Sequence, residues 1–68
     1  MLPTSQEIGR RMKELRGDRS MAEVAQALGI SRQAYWKYEA GEIVPSDEMK
    51  VKIAQYFQVS VNMLFFTS

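Results

Sequence analysis

Five hydroxyl residues, Thr4, Ser20, Ser31, Ser46 and Ser60, divide the chain into short segments, and each stands where a helix would begin. A Ser or Thr at that position accepts a hydrogen bond from a backbone N–H that the first turn of a helix leaves unpaired. Thr4 to Glu7 and Ser20 to Glu23 match the capping box, in which hydroxyl and carboxylate each satisfy one such donor. Gly17, Gly29 and Gly41 stand at the far ends of the first three segments, where a left-handed residue stops a helix. The punctuation predicts five short helices, over residues 5–16, 21–28, 32–40, 47–57 and a last turn over 61–65. Apolar residues repeat at helical spacing within them: Ile8, Met12 and Leu15, then Val24, Ala25 and Leu28, then Tyr35 and Tyr38, then Met49, Ile53 and Phe57. Strictly alternating strand-like runs are missing, so the expected class is all-α, a compact bundle of five helices. Gln58 falls at the stop of the fourth helix, where a side chain costs about 1 kcal/mol relative to glycine.

With 68 residues the chain has room for one domain, residues 1–68, around one small core. It holds neither cysteine nor histidine. Disulfides, thiolate zinc sites and the commonest acid–base catalyst are thereby excluded, and no catalytic residue, metal site or cofactor is expected. The acidic residues are scattered over predicted exposed faces, which argues against a paired-carboxylate enzyme. Apolar runs are far shorter than the roughly 20 residues that cross a bilayer, and MLPTSQE lacks the character of a signal peptide. The expected location is cytoplasmic, away from any membrane. Net charge is only +1, but residues 1–37 carry seven Lys or Arg against four acids, and residues 38–68 carry two against four. One end is basic and the other acidic.

Between Met21 and Tyr38 the sequence places Val24, Ala25, Leu28, Gly29, Ile30, Tyr35 and Tyr38 in an order with steric meaning. A small residue lets two short helices cross steeply, a glycine allows the tight turn between them, and the apolar positions hold the pair against the core. This is the spacing of a helix-turn-helix, with its core at 21–40. The segments IGRRMKELR, AEVAQALGISRQAYWKYEAGE and KIAQYFQVSVNMLF extend the pattern. From Ile8 to Phe65 the chain resembles the Cro and repressor type helix-turn-helix domains of phages and bacteria. The resemblance implies a sequence-specific DNA-binding transcriptional regulator, expected to be a repressor, with helix 3 in the major groove of double-stranded DNA and helix 2 across the backbone.

By the same resemblance Ser31, Arg32, Gln33, Trp36 and Lys37 occupy the positions that face DNA. Helical geometry agrees, because Tyr35 and Tyr38 mark the inward side and Gln33, Trp36 and Lys37 fall opposite. The side chains suit base reading: arginine pairs with guanine, glutamine with adenine, lysine with guanine or phosphate, and the tryptophan can meet a thymine methyl. Arg16 and Glu39 match a structural ion pair tying helix 1 to helix 3. Arg10, Arg11, Lys13 and Arg19 read as a solvated face. Three positions depart from the family: Met21 replaces a phosphate-binding glutamine, the connection before Ser20 is short and carries Arg19, and Glu42 stands where a basic residue often meets phosphate. Few phosphate contacts mean weak binding by one copy, which a homodimer would restore. The end at 59–68 supplies the expected interface, with Met63, Phe65 and Phe66. The alternative is a protein-interaction module, an antitoxin, an antirepressor or a phage protein that captures a host factor, which Met21, Trp36 and Glu42 favour.

Overall fold

The computed structural model describes residues 2–67. Its elements are α1 (Ser5–Arg16), α2 (Met21–Leu28), α3 (Arg32–Ala40), α4 (Asp47–Phe57) and α5 (Asn62–Phe66), and no strand occurs among the described residues. The expected boundaries hold for the first four. The fifth starts one residue later than expected and is wound as a π-helix.

The first four helices begin on their hydroxyls, and Ser60 stands just before the turn that enters α5. Thr4 accepts from the Glu7 N–H at 3.1 Å while the Glu7 carboxylate accepts from the Thr4 N–H at 2.9 Å, a complete capping box. Ser20, Ser31, Ser46 and Ser60 accept from the N–H groups of Glu23, Ala34, Met49 and Met63 at 2.9–3.3 Å. The second expected box is only half formed, since Ser20 caps α2 and the Glu23 carboxylate does not return the bond.

Three helices end in the same closure, in which two successive N–H groups turn back onto the last carbonyls. At α2 the Gly29 N–H meets Gln26 and the Ile30 N–H meets Ala25, at 3.1 and 3.0 Å. Gly29 takes φ +76°, and that turn aims α3 across α2. The end of α4 repeats the closure with Gln58 at φ +59°, ψ +45°, the one non-glycine positive φ among the described residues.

The core is a single cluster. Met12, Val24, Tyr35 and Ile53 are completely buried, with Leu28, Leu64 and Phe65 at 2–3% exposure around them. The radius of gyration, 10.7 Å, matches the roughly 11 Å of a close-packed chain of this length. The most extensive contact between helices is α1 on α3. It is close because of Gly9: a Cβ there would lie 2.8 Å from the Tyr38 carbonyl oxygen and closer still to that of Glu39.

Two arginines read as solvated from the sequence are instead fasteners. Arg11 Nη1 donates to the carbonyls of Met63 and Leu64 at 3.1 and 3.2 Å, so a side chain of α1 satisfies the free end of α5. Arg19 donates from Nε to the Arg16 carbonyl and from Nη2 to that of Leu15, at 3.2 and 2.9 Å, and so closes the end of α1. Its guanidinium lies 5.3 Å from the ring centres of both Tyr56 and Phe57, a cation–π contact that ties this turn to α4. The expectation failed because the α5 carbonyls that hold Arg11 and the rings that hold Arg19 lie far away in sequence, where periodicity carries no signal.

Candidate nucleic-acid interface

The inward side of α3 is committed to the protein. Tyr35 is wholly buried and Tyr38 nearly so. Glu39, whose side chain is 4% exposed, receives a two-pronged pair from Arg16, Nε to Oε2 at 2.7 Å and Nη2 to Oε1 at 3.1 Å. Arg16 also donates from Nη1 to the Arg19 carbonyl at 2.8 Å. The hydrogen bond to Glu39 holds the Arg16 guanidinium above its ordinary proton affinity, with burial opposing. Beside this pair the Tyr35 hydroxyl is buried without a hydrogen-bond partner. Burial first, then the Glu39 carboxylate, pushes its proton affinity well above that of an ordinary phenol.

The opposite side of α3 is open. Ser31, Arg32, Gln33 and Trp36 are exposed, Trp36 at 43%, and Lys37 is half-buried. Arg32, Gln33 and Lys37 make no side-chain hydrogen bond or ion pair with any described residue. Their donors and acceptors therefore remain available to an outside partner. The Ser31 hydroxyl is engaged as the cap of α3, which leaves its oxygen at the solvent-facing entry of the helix. Arg32, Gln33, Trp36 and Lys37 thus lie off the buried side of α3, from its first turn to its last, with Ser31 at its entry.

The residues expected at a dimer contact separate. Met63 and Phe66 are exposed at 68% and 41%, whereas Phe65 is 2% exposed and closes the core. The wide π winding of α5 leaves Leu64 and Phe65 both turned inward, so Phe65 has no surface to offer. Lys50 reaches over this end, its ammonium 4.9 Å from the Phe66 ring centre and 3.5 Å from the Asp47 carboxylate. Met63 also edges an open groove of about 490 Å³ between α1 and α5, lined by Arg11, Glu14, Leu15 and Val59. Among the described residues no acidic cluster could hold a metal ion, and no helix is long and apolar enough to cross a membrane.

A family model described as helix-turn-helix matches residues 10–64. The chain is similar to the cryptic phage CTXphi transcriptional repressor RstR of Vibrio cholerae serotype O1, at 40% identity over 47 residues. That match covers 69% of this chain and 42% of the relative, so the chain spans less than half the length of the curated protein it matches. With two short helices crossing at Gly29, an all-helical bundle around them and a family match over most of its length, the chain belongs to the helix-turn-helix family of Cro and repressor type.

Proposed function

We propose that this chain is a sequence-specific DNA-binding transcriptional repressor that reads its operator with α3 in the major groove and binds as a homodimer. The observation that carries the reading is the division of α3. Its inward face is locked by Tyr35, Tyr38 and the Arg16–Glu39 pair, while Arg32, Gln33, Trp36 and Lys37 have no hydrogen-bond or ion-pair partner among the described residues. A rigid helix with free guanidinium, amide and ammonium groups on one face is what base-edge recognition requires. The similar phage protein is itself named a transcriptional repressor. Such a regulator blocks a promoter by occupying it and needs no catalytic step. Two copies joined through Met63 and Phe66 would present two α3 helices to half-sites about 34 Å apart on one side of the duplex.

The test is binding to duplex DNA from the region upstream of the chain's own coding sequence, against a scrambled duplex, across a salt series. Preference for the first, with affinity falling steeply as salt rises, is the expected result. Arg32→Ala should cost about 1–3 kcal/mol and relax base preference, and Lys37→Ala should flatten the salt slope. The exposed indole of Trp36 favours a second reading, a protein-binding module. Equal or absent binding to the two duplexes would select it.

A further inference from the structure

We infer that Arg19 is a positioning residue for base recognition: it fixes the carbonyl that anchors Arg16, and through the Arg16–Glu39 pair it sets the angle of α3. This role rests on the reading of α3 as the groove-binding helix.

The turn between α1 and α2 has little packing of its own. Gly17 and Asp18 are exposed, and a Cβ added at Gly17 would meet nothing within 4 Å. An exchange between two arginines holds it instead. Arg19 reaches the Arg16 carbonyl from Nε at 3.2 Å and from its own backbone N–H at 3.1 Å, and the Leu15 carbonyl from Nη2 at 2.9 Å. Arg16 returns the grip, donating from Nη1 to the Arg19 carbonyl at 2.8 Å. The charge of Arg19 is met by the last carbonyls of α1 and by the rings of Tyr56 and Phe57, each centred 5.3 Å from its guanidinium. Position 19 is therefore tied at once to the end of α1, to α4 and, through Arg16, to α3.

A guanidinium is a rigid planar fork. That of Arg16 is fixed at Glu39 Oε2 by Nε, at Glu39 Oε1 by Nη2 and at the Arg19 carbonyl by Nη1. A shift of the Arg19 carbonyl either breaks the last bond or turns the fork, and Glu39 turns with it. Glu39 lies in the last turn of α3, about 10 Å along the helix from Arg32. A tilt of about 5° there moves the Arg32 end by about 1 Å, more than the whole span of about 0.5 Å over which an N–H···O bond forms. A leucine at position 19 would cover the same rings but bond no carbonyl.

The experiment compares the native chain with Arg19→Lys, which keeps the charge, and Arg19→Leu, which keeps an apolar stem; neither presents the fork. Urea unfolding is followed in the native background and in one carrying Arg16→Met with Glu39→Leu. Affinity is measured for the duplex from upstream of the chain's own coding sequence and for a scrambled one, at a temperature where melting curves show every variant folded. Arg19→Leu should lower the urea midpoint at least about twice as far in the native background as in the other, because the pair it acts through is absent there. Preference for the upstream duplex should fall about tenfold in both Arg19 variants, the worth of one well-made base contact. Lost stability alone does not move that ratio, since unfolding weakens both affinities alike. An unchanged preference, or equal midpoint losses in the two backgrounds, overturns the inference and leaves Arg19 a local fastener. A native chain without preference overturns the DNA-binding reading instead, and the midpoint comparison then decides alone whether Arg19 holds α3 through Arg16.

Discussion

Gly9→Ala puts one methyl group into the contact on which the placement of α3 depends. In most helices the change is favourable, by about 1 kcal/mol, because alanine has the higher helix propensity. Here the new carbon would sit 2.8 Å from the Tyr38 carbonyl oxygen, where ordinary contact begins at 3.4 Å, and nearer still to Glu39. The obstacles are backbone atoms of α3, so no side chain can swing aside, and α1 must lift by more than about 0.6 Å. A gap of 0.5–1 Å forfeits roughly a quarter to a half of the dispersion energy across an interface, and α1 on α3 is the largest interface in the molecule. Overpacking of this kind costs about 1–3 kcal/mol. With a rigid obstacle the upper part of that range applies, and subtracting the propensity gain leaves a net loss of about 1–2 kcal/mol. In a domain of this size each kcal/mol moves the melting temperature by about 4–8 °C. Thermal unfolding followed by circular dichroism should show a fall of about 5–15 °C for Gly9→Ala, and almost none for Lys13→Ala on the exposed face of the same helix. A variant that melts with or above the native chain would refute the argument, because α1 would then not rest on the α3 carbonyls.

Other perturbations test the remaining supports of α3 and the end of α4. Arg16→Ala leaves Glu39 charged and nearly buried, which should cost about 3–5 kcal/mol. Since a 68-residue domain holds only about 3–10 kcal/mol in all, this is a large share of the total, and urea titration should find the midpoint sharply lowered, whereas Arg16→Met with Glu39→Leu should recover most of the loss. Tyr35→Phe removes a buried hydroxyl without a partner, so stability at neutral pH should hold or rise by about 1 kcal/mol. The folded Tyr35 hydroxyl is raised above its ordinary value of 10.0. Its contribution is therefore whole below pH 10 and is lost as pH climbs from there towards the folded value, so alkaline titrations should show the native chain losing stability relative to Tyr35→Phe. Gln58→Gly relieves a left-handed side chain at the end of α4; the melting temperature should rise by the equivalent of about 0.5–1 kcal/mol, and a fall would mean that the Gln58 side chain does more than cap.

What the sequence made legible was local. A hydroxyl caps a helix through an N–H three residues away, and a buried tyrosine faces the same way as the next one three along, so the helices and the outward face of α3 follow from spacing alone. What it hid was decided by meetings between segments. Gly9 bears no mark of close approach, since only the crossing of α1 over α3 brings carbonyls to it. Arg11 and Arg19 look like surface cations until α5 and α4 arrive beside them. Phe65 and Phe66 are chemically identical neighbours, and the winding of α5 alone sends one to the core and leaves the other outside. The half-formed box at Ser20 shows the same limit, because the Glu23 side chain has rotamers that no pattern distinguishes.

The separation of the two faces of α3 has an evolutionary consequence. Stability resides in Tyr35, Tyr38 and Glu39, while the side chains of Arg32, Gln33 and Lys37 hold no bond to any described residue. Substitutions at those outward positions meet little selection from folding. Lineages can rewrite them without passing through unfolded intermediates, so this face can diversify far faster than the scaffold that carries it, and under the proposed function each rewriting would offer a new target.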